Sequence, residues 1–202
     1  MSSDAAFPIV GIGSSAGGVE ALQLLFDGMP ADTGMAFIVV SHLARDYQSL
    51  LPEIVARHAR MHVTAAGDDA QIEGNTIYIC PPNHILTVEP HTLRLTPRLS
   101  DQQHKPIDVF LSSLAEAYGE ASVGVLLSGS GSDGALGMKA IKERGGLTVA
   151  QGGVDGTGPL HSEMPDAAIA SGAVDIVAPV EQIPARLAEY ANSFRLLERA
   201  SQ

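Results

Sequence analysis

The sequence predicts an α/β fold: a doubly wound, mostly parallel sheet with helices on both faces and a small antiparallel hairpin. Three observations carry this expectation. Short, nearly continuous apolar runs at 8–12 (PIVGI), 35–40 (MAFIVV) and 122–127 (SVGVLL) read as strands buried on both faces. Segments with apolar residues at helical spacing alternate with them. The 202 residues include 21 Gly and 12 Pro, enough for many tight turns between elements.

Each element follows in order. Residues 1–7 read as a flexible leader. After the strand at 8–12 comes a turn at 13–18, and then Val19, Leu22 and Phe26 at helical spacing. The second strand, 35–40, precedes a helix that carries Leu50, Ile54 and Val55. A short strand at 76–80 stops at Pro81-Pro82. Residues 84–95 alternate as two segments around Glu89-Pro90-His91, which is a hairpin pattern. A helix at 109–118 leads to the strand at 122–127, and a helix at 134–144 stops at Gly145-Gly146. Strands at 147–150 and 173–177 and a helix at 183–197 complete the alternation, with a glycine-rich loop at 152–158. No repeat, low-complexity tract or linker divides the chain, so one domain is expected over 8–192, with 193–202 a fraying helix that is either flexible or an extension.

Composition narrows the function classes. Hydrophobic residues make up 45% and charged residues 17%, the opposite of a disordered chain. No apolar run is long enough to cross a bilayer and no basic-then-apolar leader opens the chain, so a cytoplasmic protein without membrane insertion is expected. A net charge of −11 disfavours nucleic acid as a partner. The lone Cys80 excludes a disulfide framework, and Cys80 with His84 supplies only two ligands, so no metal is expected.

Three places carry candidate chemistry, and each follows directly on an apolar strand, where open parallel sheets bind ligands. Gly13-Ser14-Ser15-Ala16-Gly17 matches G-x-S-x-G, a strand-to-helix turn that raises a serine hydroxyl above the sheet. It also reads as a glycine turn in which Ser14 or Ser15 caps the next helix. A third reading is a dinucleotide loop on Gly11, Gly13 and Gly17, weakened because the second strand ends in Val40-Ser41-His42 without a carboxylate. His42 is the second place: a base there would share a sheet edge with Ser15. The third is Ser128-Gly129-Ser130-Gly131-Ser132-Asp133-Gly134. Asp133 there reads either as the N-cap of the helix near Gly134 or as the group that orients the imidazole. Backbone N–H groups near Ala16 and Ser130 are candidates for an oxyanion hole.

The same residues resemble the catalytic domain of the protein-glutamate methylesterases of bacterial chemotaxis, the CheB family. The resemblance rests on residues 12–22 (IGSSAGGVEAL), Ser41-His42 and 124–135 (GVLLSGSGSDGA). Residues 105–109 (KPIDV), Ala150-Gln151 and 164–169 (MPDAAI) match as well, so the likeness covers about 8–187. It implies a serine hydrolase that removes methyl groups from glutamate methyl esters of chemoreceptors and also deamidates receptor glutamines. It implies Ser15 as nucleophile, His42 as base, Asp133 as orienter, and no cofactor. The implied partner is a methyl-accepting chemotaxis receptor, with a receptor methyltransferase as a further candidate. The chain departs from the family pattern at 43–47 (LARDY), where Met-Pro is usual, and at 100–104 (SDQQH), where arginines are usual. No receiver domain is expected ahead of Pro8. The rival readings are a non-catalytic scaffold that binds a receptor or methyltransferase, a serine esterase of changed substrate, and a dinucleotide-binding domain.

Overall fold

The computed structural model describes residues 7–99, 104–153 and 156–201. The chain runs β1 (Ile9–Ser14), α1 (Gly18–Asp27), β2 (Ala36–Ser41), α2 (Arg45–His58), β3 (His62–Ala65) and β4 (Thr76–Ile79). A hairpin, β5 (His84–Glu89) and β6 (Thr92–Pro97), leads to α3 (Pro106–Tyr118). Then follow β7 (Ser122–Leu126), α4 (Ala135–Glu143), β8 (Leu147–Gln151), α5 (Glu163–Ala170), β9 (Ile176–Ala178) and α6 (Ile183–Ala200). Seven strands pair in the order β3-β4-β2-β1-β7-β8-β9, all parallel. The antiparallel β5–β6 ribbon stands apart from this sheet.

The strands are apolar throughout because both faces are covered. Side chains alternate across a strand, so Val10 and Ile12 of β1 and Phe37 and Val39 of β2 face one layer. There they meet Leu22, Leu25 and Phe26 of α1 and Ile183 and Leu187 of α6. Ile9, Ile38 and Val40 face the other layer, with Phe110, Leu111 and Leu114 of α3 and Met138 and Ile141 of α4. Gly11 lets α3 lie close on the sheet: a Cβ there would sit 2.8 Å from a Leu114 methyl. Packing therefore accounts for a glycine that the dinucleotide reading needed.

Phe37 is fully buried and stands edge-on to Phe26, with ring centroids 5.8 Å apart. Phe37→Ala removes that contact and leaves a cavity in the layer under α1. We expect a loss of about 3–5 kcal/mol, read as a lower denaturant midpoint at unchanged slope.

Several elements differ from the expectation. β1 continues through Gly13 and Ser14, which pair with Val40 and Ser41 and so are strand, not turn. α3 begins at Pro106, which has no N–H to lose in a first turn. β3 carries no apolar run because it is a short, largely exposed edge strand. α5, which no expectation covered, opens on Glu163 with Pro165 in its first turn. β9 starts at Ile176 rather than 173, because the Asp175 carboxylate takes the Thr148 N–H (3.0 Å) and delays strand pairing to Val149–Ile176. Cys80 is buried, and burial pushes its thiol up to about 12, which makes it an inert packing group. No described helix is long and apolar enough to cross a membrane.

Candidate active site

The carboxyl ends of three adjacent strands, β2, β1 and β7, deliver the three sequence motifs to one edge. Backbone hydrogen bonds lace these ends together: His42 N–H to Ser14 O (2.9 Å), Ser15 N–H to Ser128 O (3.0 Å) and Leu127 N–H to Gly13 O (2.9 Å). The two serines of the first motif part company here. Ser14 turns inward, where its hydroxyl meets that of Ser41 at 2.8 Å. Ser15, the first residue past β1, is 7% exposed and accepts the Ser130 N–H at 2.8 Å. Neither caps α1, whose N-cap is Gly17 without a side-chain bond. Gly17 adopts φ 73, a left-handed turn, and a Cβ on it would lie 2.6 Å from Ser128 Oγ.

β1 lies between β2 and β7, so His42 and Asp133 come from opposite sides of the serine's strand. The imidazole spans that gap, and its Nε2 stands 3.3 Å from Asp133 Oδ2. Asp133 is not the N-cap of α4, as one sequence reading had it. Its carboxylate instead accepts the N–H groups of Ile107 (3.0 Å) and Asp108 (2.8 Å), which begin α3. The start of α4 is held by Asp108, whose Oδ1 accepts the N–H groups of Gly134 and Gly137, both at 2.9 Å. The two oxyanion candidates differ at rest. The Ser130 N–H is engaged by Ser15 Oγ, whereas the Ala16 N–H makes no hydrogen bond among the described residues.

The model of the family described as CheB methylesterase matches residues 10–187. The chain belongs to the CheB methylesterase family. It is 35% identical over 187 residues to protein-glutamate methylesterase/protein-glutamine glutaminase 1 of Carboxydothermus hydrogenoformans, covering 89% of this chain and 54% of that protein. It is 32% identical to a putative protein of the same name from Leptospira interrogans, covering 85% of this chain and 89% of the relative. The crystal structure of the Thermotoga maritima CheB methylesterase catalytic domain superposes with a TM-score of 0.82 at 28% identity, over 91% of this chain and 98% of that one. The chain spans about half the length of the Carboxydothermus hydrogenoformans relative and of others like it that it matches.

Charge around the edge of this CheB-family domain is arranged by burial and hydrogen bonds together. Burial works to raise the Asp133 carboxyl, but the His42 imidazole and the N–H groups of Ile107 and Asp108 outweigh it and hold the group below the usual carboxylate range. Asp108 goes the other way: burial raises it and the Asp133 charge adds to this, against the N–H groups of Gly137 and Gly134 and the charge of Lys105. Arg45 and Lys105 are exposed at the starts of α2 and α3, next to the edge that carries His42 and Asp133.

Sequence reasoning assigned no role to several residues that build this edge. Ser128 donates its hydroxyl to Ala16 O (2.7 Å) and accepts the His161 N–H (2.9 Å). Gln151 at the end of β8 takes the Ser128 N–H at 2.9 Å. Glu163 accepts the Gly131 N–H, also at 2.9 Å. Ser128 and Gln151 stood in recognised motifs without a role, and Glu163, the first residue of α5, carried no sequence signal.

Proposed function

We propose that Ser15, His42 and Asp133 act as nucleophile, base and orienter in hydrolysing glutamate methyl esters of a chemoreceptor in the cytoplasm. The observation that carries this is the His42 imidazole spanning two strand ends to reach a carboxylate already held by two helix N–H groups. With its Nε2 proton directed at Asp133, neutral His42 keeps the Nδ1 lone pair for the Ser15 proton. The Ser15 oxygen, released from the Ser130 N–H, bonds the ester carbonyl carbon. The displaced N–H and that of Ala16 then serve the developing oxyanion. The proton on Nδ1 passes to the leaving methoxide, giving methanol and an acyl-enzyme. Water then gives a proton to Nδ1 and adds to the acyl carbon, and that proton passes to Ser15 Oγ as its bond to the glutamate breaks. The same steps on a glutamine side chain release ammonia, in keeping with the glutaminase in the relatives' names. The test is methanol release from a methylated receptor cytoplasmic fragment. Release by the wild-type chain supports this reading, and none from an enzyme that a serine-directed fluorophosphonate still labels overturns the substrate.

Gly129 gives a second test. A Cβ there would lie 2.7 Å from Ser15 Oγ and 2.3 Å from Met164 Cε. Met164 is flexible and can yield, whereas the Ser15 hydroxyl is held by the Ser130 N–H. Gly129→Ala is expected to lower kcat by about 100-fold, the scale of a 1 Å misplacement, with a nearly unchanged melting temperature. Wild-type kcat in this variant would show that Ser15 does not need this position.

A further inference from the structure

We propose that Asp108 is a positioning residue for the esterase, holding Asp133 in place through the turn that follows it; this rests on the triad reading above. Asp133 and Asp108 form a reciprocal clasp. Asp133 binds the first N–H groups of α3, and Asp108, on α3, binds the first N–H groups of α4. The Gly134 N–H belongs to the peptide bond directly after Asp133, so Asp108 anchors the backbone on which the orienting carboxylate stands. That backbone needs an anchor, because Gly134 adopts φ 101 and, among the described residues, no side chain other than Asp108 caps α4. The helices are pressed together here: a Cβ on Gly137 would lie 2.6 Å from Leu111 Cβ and 3.3 Å from the Asp108 backbone.

Asp108 is also placed as a purely structural surface cap would not be. It is 7% exposed, and its Oδ2 is buried without a partner among the described residues. One oxygen does all the holding. An asparagine, with one acceptor oxygen, should therefore replace it, whereas a side chain without an acceptor should not.

The experiment compares Asp108→Ala and Asp108→Asn with wild type and Ser15→Ala. It reads kcat and KM for methanol release, the rate of Ser15 labelling by a fluorophosphonate, and the melting temperature. In Asp108→Ala, kcat and the labelling rate are expected to fall roughly 30-fold with KM nearly unchanged, the scale of a sub-ångström to 1 Å displacement. Asp108→Asn should restore both rates to within about threefold, since the two N–H groups regain an acceptor. If Asp108→Ala does not fold, Asp108→Leu, which keeps the bulk and offers no acceptor, takes its place. Wild-type rates in a folded alanine or leucine variant would overturn the proposal, as would a folded asparagine variant as slow as alanine. If wild type labels but releases no methanol, the substrate reading fails and the labelling rates still decide the role of Asp108. If wild type does neither, the triad reading fails and this proposal falls with it.

Discussion

Ser15→Ala is expected to reduce methanol release from a methylated receptor fragment on the order of 10⁶-fold, the loss seen when a serine nucleophile is removed from a well-studied triad hydrolase. The stability of the variant should hardly change. Ser15 Oγ accepts one hydrogen bond, from the Ser130 N–H, and Ser130 is exposed, so water can take over that donor. The backbone of residue 15 stays tied through its own N–H to Ser128 O. A large kinetic loss with an unchanged melting temperature would thus locate the reacting atom at Ser15 Oγ. Turnover within tenfold of wild type would remove Ser15 from the mechanism. The neighbouring Ser14 is the natural control, because its hydroxyl is buried against Ser41 and faces no solvent.

Asp133→Asn should lower kcat by about 10⁴-fold, by analogy with triads in which the orienting carboxylate becomes an amide. Geometry explains why no amide orientation rescues it. An NH₂ at the Oδ2 position faces the Ile107 N–H and the imidazole, donor against donor. An NH₂ at the Oδ1 position faces the Asp108 N–H. The variant should also lose about 1–2 kcal/mol of stability, since it weakens the cap of α3. The sign of the pH dependence separates the two effects. The folded-state carboxyl is held below its usual range, so its contribution to stability is complete above that range and is lost as pH falls through the lower folded value. The stability gap between wild type and Asp133→Asn should therefore be widest near neutrality and narrow below about pH 4. A gap independent of pH would mean that the charge of Asp133 plays no part in the fold. Near-wild-type kcat in Asp133→Asn would leave Asp133 as a cap of α3 and nothing more.

How far each feature could be read from the sequence follows from the range of the interaction behind it. Residues 8–12, 35–40 and 122–127 are apolar throughout because both faces of β1, β2 and β7 are buried, so period and length alone identify them. The edge strand β3 has one solvated side and four residues, which leaves no such pattern. α5, with eight residues and a proline in its first turn, has too little helical spacing to stand out. The start of β9 depends on the hydrogen bonds between Asp175 and Thr148, invisible to any local pattern.

The sequence by itself determined the fold class, the family and the placing of Ser15, His42 and Asp133 just beyond apolar strands, because local hydrophobic spacing and contiguous motifs record these things. Only the tertiary structure decided that β1 lies between β2 and β7, that Ser14 turns inward while Ser15 meets the Ser130 N–H, and that Asp133 caps α3 while Asp108 caps α4. Each of these is a contact between segments far apart in the chain. It depends on which strands pair and which helix ends meet, and no spacing along one segment carries that information.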